Sequence, residues 1–171
     1  MSEVEEVTSA WLRVTGLLEA SNPGGFGALS PGATDERLGA LSGTLQCELP
    51  AVLETLLRLN DGSTAKNRRE GLPGGGVAVI TDPDCGILDG MELLGSQEIV
   101  KRYREYLAYA EGDPNYWKPN WIPIIQSQDA PYGFLLAVAD GGVSVMEFSE
   151  GSYPTAVEWS LAELLGKLAE R

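Results

Sequence analysis

The side chains of this sequence that could do chemistry are mainly carboxylates, because its 171 residues include 25 aspartates and glutamates and no histidine. Histidine is the usual general base near neutral pH and a common ligand of zinc and iron. Catalytic triads, dyads and metal centres built on imidazole are therefore excluded. Serine nucleophiles are disfavoured too, since the sequence has no Gly-x-Ser-x-Gly motif.

One cluster of carboxylates has the spacing of part of a calcium loop. Asp82, Asp84 and Asp89 occupy positions one, three and eight of such a loop. An EF-hand needs glycine at position six and glutamate at position twelve, where this chain has Ile87 and Leu93. The segment is therefore interpreted as a turn with solvated carboxylates, and we expect no bound metal ion.

Two carboxylate pairs, Asp82 with Asp84 and Glu147 with Glu150, are candidates for the acid and base of a glycosidase-type reaction. In a chain with 25 acidic residues, pairs of this kind arise by chance. A carboxylate-based hydrolase is therefore retained only as an alternative, and no catalytic residue is assigned.

A glycine-rich segment, residues 72–76, precedes an apolar run. A P-loop needs Gly-Lys-Ser/Thr at the start of a helix, and the dinucleotide fingerprint needs its glycines after a strand and before a helix. Neither order is present. The segment is interpreted as a flexible loop, and no cofactor is expected.

Net charge narrows the range of partners. With 12 basic residues the chain has a formal charge of -13 and a sequence pI near 4.3, so phosphate backbones would repel it and no nucleic-acid partner is expected.

Residues 1–11 are acidic, unlike a secretory signal, and no apolar run is long enough to span a bilayer. Cys47 and Cys85 are typical of buried thiols in a reduced compartment. We therefore expect a cytoplasmic protein without a membrane partner.

Acidic residues are concentrated in two segments that contain no base. Six acids lie between Arg69 and Lys101, and six more lie between Lys118 and Lys167. The basic residues cluster instead at residues 66–69 and 101–104. If the acidic turns share one side of the molecule, their field would accelerate association with a cationic partner. The alternative is a generally acidic, soluble surface.

Apolar residues at three- and four-residue steps predict five helices. Two of them are Glu3–Ala20 and Ser96–Glu111. A third is Asp35–Leu41, with Thr34 as its N-cap and Gly43 beyond its end, and a fourth begins with Pro50 and ends at Asn60-Asp61-Gly62. The last begins at a capping box formed by Ser160 and Glu163 and continues through Ala169.

Strands are predicted at Val77–Ile80, Trp121–Gln126, Gly133–Ala139 and Val143–Phe148, and residues 64–76 are predicted to be a mobile connection. The order of elements favours an α+β fold, in which an antiparallel or mixed sheet of about five strands is flanked by N-terminal, central and C-terminal helices. Residues 1–171 are interpreted as one domain, with an N-terminal helix (1–20), a linker (21–33) and a core (34–171).

Several short motifs in a fixed order resemble the SUKH superfamily, whose members include bacterial immunity proteins of toxin systems and a fungal regulator of cell-wall assembly. The order is a Leu49-Pro50 helix ending in Asn60-Asp61-Gly62, the segment Trp117-Lys118-Pro119-Asn120-Trp121-Ile122-Pro123-Ile124, a strand pair containing Gly133, and a Ser160-Leu161 helix. The Trp11-Leu12 helix and Pro31-Gly32-Ala33 add to the resemblance. One departure is that Asp140 follows a longer apolar run, residues 134–139, than is usual at the end of the central strand.

This resemblance implies a non-enzymatic protein-binding module with a sheet wrapped by helices. It implies an immunity-type protein that neutralises a toxin domain, or alternatively a regulatory or scaffolding protein of cell-wall assembly. A protein partner is therefore expected, and a cationic toxin domain would complement the acidic chain. Candidate partner-binding residues are the acidic and aromatic side chains Asp82, Asp84, Asp89, Tyr116, Trp117, Asp129, Tyr132 and Asp140.

Overall fold

A computed structural model of the chain describes residues 1–63, 67–81, 90–127, 131–140 and 142–170. The helices among them are α1 (Glu3–Ser21), α2 (Pro23–Gly27), α3 (Asp35–Thr44), α4 (Ala51–Leu59), α5 (Ser96–Ala110) and α6 (Leu161–Ala169). The strands are β1 (Asn67–Gly71), β2 (Val77–Thr81), β3 (Met91–Leu93), β4 (Trp121–Ser127), β5 (Gly133–Ala139), β6 (Gly142–Ser149) and β7 (Ser152–Ala156).

Five strands form an antiparallel sheet in the order β3-β4-β5-β6-β7, and β1 pairs with β2 in a separate hairpin. The α+β class, the antiparallel sheet and its five strands are confirmed. Strand β5 is central, as its unbroken apolar run predicts. Strands β7 and β3 are the two edges of the sheet. Strand β7 contains Pro154, and β3 is bordered by Ser63, whose backbone N–H donates to the Leu93 carbonyl (2.9 Å).

Local capping signals place the helix starts correctly. Ser160 and Glu163 form both hydrogen bonds of the predicted capping box, and the Thr34 hydroxyl accepts from the Arg37 N–H. Pro50 is the residue before α4, as its missing N–H predicts.

Two local predictions are wrong. Helix α3 continues through Gly43 to Thr44 instead of ending near Leu41, because burial of Leu38, Leu41 and Leu45 outweighs the helix cost of one glycine. Residues 67–71, predicted to be part of a mobile connection, form β1 instead. There the glycine-rich segment closes a hairpin, with Gly74 and Gly75 at φ of 97° and 99°.

The main core fills the space between one face of the sheet and the helices, with α1 packed on both α4 and α6. Trp11 of α1 is fully buried, and its indole N–H donates to the Asn60 side-chain oxygen (2.9 Å). Part of the predicted linker is also fixed, since the Ala33 N–H donates to the Leu57 carbonyl (2.8 Å). The N-terminal helix therefore shares a core with the rest of the chain.

A smaller aromatic cluster covers the other face of the sheet. Leu135 belongs to it, whereas its neighbours Phe134 and Leu136 belong to the main core, because successive residues of a strand point to opposite faces.

Among the described residues, no helix combines the length and apolarity that a bilayer span requires. Burial raises the pKa of the half-buried Cys47 thiol; Cys85 lies outside the described residues.

Candidate functional site

The candidate site is built on the aromatic cluster. Tyr106 of α5, Trp117 of the following loop, Trp121 of β4 and Phe148 of β6 contact one another, with ring centroids 4.7 to 6.0 Å apart. The Trp117 indole N–H donates to the Trp121 carbonyl (3.0 Å), and the Tyr106 hydroxyl donates to the Gln126 side-chain oxygen (2.7 Å). Because these buried polar atoms are paired, the cluster is a rigid base for what lies over it.

Tyr116 and Tyr109 lie over this base. The half-buried Tyr116 ring makes edge contacts with Tyr106 (6.2 Å between centroids) and with Tyr109 (5.8 Å). Tyr109 is 55% exposed, and its hydroxyl donates to the Glu105 carboxylate one helical turn earlier (3.1 Å).

A third tyrosine reaches the same region from the edge strand. Tyr153 of β7 is 55% exposed, and its hydroxyl donates to the Asp113 carboxylate (2.8 Å). The Asp113 carbonyl in turn accepts the backbone N–H of Tyr116 (2.9 Å). We call Glu105, Tyr109, Asp113, Tyr116, Glu150 and Tyr153 the tyrosine–carboxylate surface.

Nearby carboxylates and burial raise the pKa values of the phenols on this surface. Hydrogen bonding to Glu105 raises the pKa of Tyr109, and hydrogen bonding to Asp113 raises the pKa of Tyr153. For Tyr116, burial raises the pKa first, and the nearby Tyr109, Glu105 and Glu150 raise it further. The surface therefore combines protonated phenols, which donate hydrogen bonds, with negative charge.

A small cavity opens beside Tyr116. Its volume is about 150 Å³, and the residues that line it include Tyr116, Trp117, Phe148, Glu150 and Pro154. Two bases lie near the aromatic cluster but do not line this cavity. Arg102 lies near Glu98 (3.7 Å), and the Lys118 ammonium lies over the Trp121 ring (5.3 Å).

Of the four predicted partner-binding residues that the structure describes, two lie together. Tyr116 is on the tyrosine–carboxylate surface, and Trp117 is buried beneath it. Tyr132 packs against the main core on the opposite face, with its ring 6.1 Å from Phe134. Asp140 is exposed on a different side of the molecule, in a shallow groove that Pro50 also lines. The remaining candidates, Asp82, Asp84, Asp89 and Asp129, lie outside the described residues.

Sequence reasoning missed Tyr109, Asp113 and Tyr153. Tyr109 gives a local signal, since it lies three residues after Tyr106 and four after Glu105 on a predicted helix. Tyr153 gives none, because it meets Asp113 only through the pairing of β7 at the sheet edge, 40 residues away.

Among the described residues, no group of three or more histidine, cysteine, aspartate or glutamate side chains is placed to hold a metal ion. The arrangement instead offers aromatic contact area, hydrogen bonding and charge. A family model described as SMI1 / KNR4 family (SUKH-1) matches residues 32–167. No curated protein matches the chain.

Proposed function

Because the chain belongs to the SMI1/KNR4 family (SUKH-1), we propose that it is an immunity-type protein that binds a toxin domain and neutralises it by contact. Family membership supports a protein-interaction role of the immunity or cell-wall regulator kind. The proposal assigns no catalytic residue to the chain.

The observation that carries the proposal is the tyrosine–carboxylate surface. Exposed tyrosines supply large contact area at low entropic cost, and aromatic residues are enriched where protein interfaces gain most of their energy. Tyr109 and Tyr153 are both more than half exposed, yet each is held in one orientation by a carboxylate. A surface that is oriented before binding loses less entropy when a partner docks.

The negative charge of the chain supports the proposal that its partner is cationic. The chain carries a formal charge of -13, and Glu105, Asp113 and Glu150 place part of that charge around the exposed tyrosines. Complementary charge raises the rate of association and suppresses unsuitable partners. A basic nuclease-type toxin domain has the complementary charge.

The direct test is co-expression with a toxin domain encoded next to this chain, followed by a survival assay and a pull-down. We expect the wild-type chain to restore growth and to co-purify with the toxin domain. A Tyr109→Ala/Tyr153→Ala variant should lose at least about tenfold in affinity, since truncating interface tyrosines commonly costs more than 1 kcal/mol each.

Phe26→Ala is the matched control, because Phe26 is a partly exposed aromatic residue outside the surface (38% exposed). It should bind as the wild type does. If the chain neither binds nor protects against any neighbouring toxin domain, the immunity proposal is wrong.

Family membership also supports a second candidate function, a regulatory or scaffolding role in cell-wall assembly. This role would use the same kind of binding surface. Deletion of the gene separates the two functions: altered wall integrity without toxin sensitivity supports regulation, and toxin sensitivity with an intact wall supports immunity.

A further inference from the structure

We infer that the cavity beside Tyr116 is an anchor pocket that receives one arginine side chain from the partner protein. This inference rests on the proposed protein-binding function and specifies the chemistry of the partner at one point of the interface.

The size and walls of the cavity suit a single planar side chain. A volume of about 150 Å³ matches that of engineered protein cavities that hold one benzene molecule. The aromatic residues Tyr116, Trp117 and Phe148 line it, together with Ser149 and Ser152, which carry polar groups. Partly buried pockets of this kind are where interface anchors insert.

Electrostatics favour a cation as the occupant. Glu150 lines the cavity, and the described residues around it include no lysine or arginine. Glu105 lies close enough to Tyr116 to affect its ionisation, as Glu150 does. A cation that enters would therefore meet Glu150 and aromatic residues, whose ring faces attract cations.

The chain itself shows that its aromatic rings accept cations. The Lys118 ammonium lies 5.3 Å from the centre of the Trp121 ring, and the Lys167 ammonium lies 4.9 Å from that of Trp159. Arginine suits the cavity better than lysine does, because its planar guanidinium can stack on a ring while its N–H groups bond a carboxylate in two places.

The pocket exists before any partner binds. Trp117 is fixed by its indole hydrogen bond to the Trp121 carbonyl, and the Tyr116 ring packs edge-on against the rings of Tyr106 and Tyr109. Because the walls are already ordered, filling the pocket requires no rearrangement of the aromatic cluster.

The probe for this test is N-acetyl-arginine methylamide, titrated into the isotope-labelled full chain and followed by NMR. We expect saturable shifts at the Trp117 indole N–H and at Gly151 and Ser152, with a dissociation constant on the order of 1 mM. The citrulline analogue has nearly the same shape without the charge and should bind at least about tenfold more weakly, as loss of a charge-assisted pair predicts.

Two matched variants locate the effect. Glu150→Gln should weaken arginine binding at least about fivefold, whereas Glu158→Gln, at another exposed acidic position, should leave it unchanged. The inference is overturned if no saturable shift appears, if citrulline binds equally well, or if Glu150→Gln has no effect.

These failures are distinct from failure of the proposed function. If the chain neutralises a toxin domain and Glu150→Gln does so with unchanged affinity, the protein-binding function stands and the arginine pocket does not.

Discussion

Asp61 and Ser96 are joined by two hydrogen bonds although 35 residues separate them in sequence. The Ser96 backbone N–H donates to one carboxylate oxygen of Asp61 (2.6 Å), and the Ser96 hydroxyl donates to the other (3.0 Å). Arg37 of α3 also donates to Asp61 (3.1 Å). The Asp61 side chain, which is only 3% exposed, follows α4. It thus caps α5 and links it to α3.

Replacing Asp61 should therefore be costly. We expect Asp61→Ala to lower the free energy of unfolding by about 3 kcal/mol, because it leaves a buried N–H and hydroxyl without their acceptor. Asp35→Ala is the control, since Asp35 bonds Arg58 (2.8 Å) on the exposed surface; it should change stability by about 0.5 kcal/mol or less. Urea denaturation measures both, and equal effects would contradict the assigned role of Asp61.

The N-terminal helix should contribute to stability although it precedes the matched residues 32–167. Trp11→Phe keeps an apolar ring but removes the donor to Asn60, so we expect a loss of about 1 to 3 kcal/mol. Leu12→Ala, at a neighbouring position that is 57% exposed, should change stability by about 0.5 kcal/mol or less. Thermal denaturation monitored by circular dichroism distinguishes the two, and an unaffected Trp11→Phe variant would contradict the contribution assigned to Trp11.

Two glycine-to-alanine changes should have opposite signs. Gly43 lies inside α3 with no other atom near the position of an added methyl group, so Gly43→Ala should stabilise the chain by about 1 kcal/mol. Gly133 faces the Ile125 carbonyl across the β4–β5 pair, where a methyl group would overlap that oxygen. Gly133→Ala should therefore cost about 3 kcal/mol or more. Chemical denaturation tests both signs.

Titration of Tyr109 should depend on Glu105. Because the Glu105 carboxylate raises the pKa of the Tyr109 phenol, Glu105→Gln should lower that pKa toward its ordinary value of about 10. NMR of the tyrosine ring carbons against pH measures the change. Glu158→Gln serves as the control and should leave the Tyr109 titration where it is.

The buried Tyr106 should make stability fall at alkaline pH. Burial raises the pKa of its phenol, so above about pH 10 the unfolded chain releases this proton more readily than the folded chain does. The contribution is fully present below pH 10 and is lost as pH rises through the folded pKa. In Tyr106→Phe the decline of unfolding free energy between neutral and alkaline pH should be shallower; an identical decline would contradict the assignment.

Helices and strands were predicted correctly from the sequence where local signals determine them. Pro50 before α4, the Ser160 capping box and the apolar run of β5 act within a few residues, and each predicts its element correctly. The end predicted for α3 from Gly43 is wrong, because the packing of α3 outweighs the low helix propensity of glycine. The short strands β3 and β7 were missed, since three or five residues carry too little periodicity to stand out.

The candidate site was only partly predictable for a related reason. Tyr116 and Trp117 were identified because their chemistry suits an interface, without reference to their neighbours. The contact of Tyr153 with Asp113, like that of Asp61 with Ser96, depends on tertiary folding that brings distant segments together. Pairings of this kind have no signature in a single sequence.

Pro154 limits how the sheet can grow. A free strand edge offers backbone N–H groups to any passing strand, and this is a common route to fibres and other open-ended assemblies. At the β7 edge, proline removes one of those donors, and at the opposite edge Ser63 already bonds β3. A molecule that presents the exposed Tyr153 on one edge strand of its sheet thus carries protection against polymerisation at both edges.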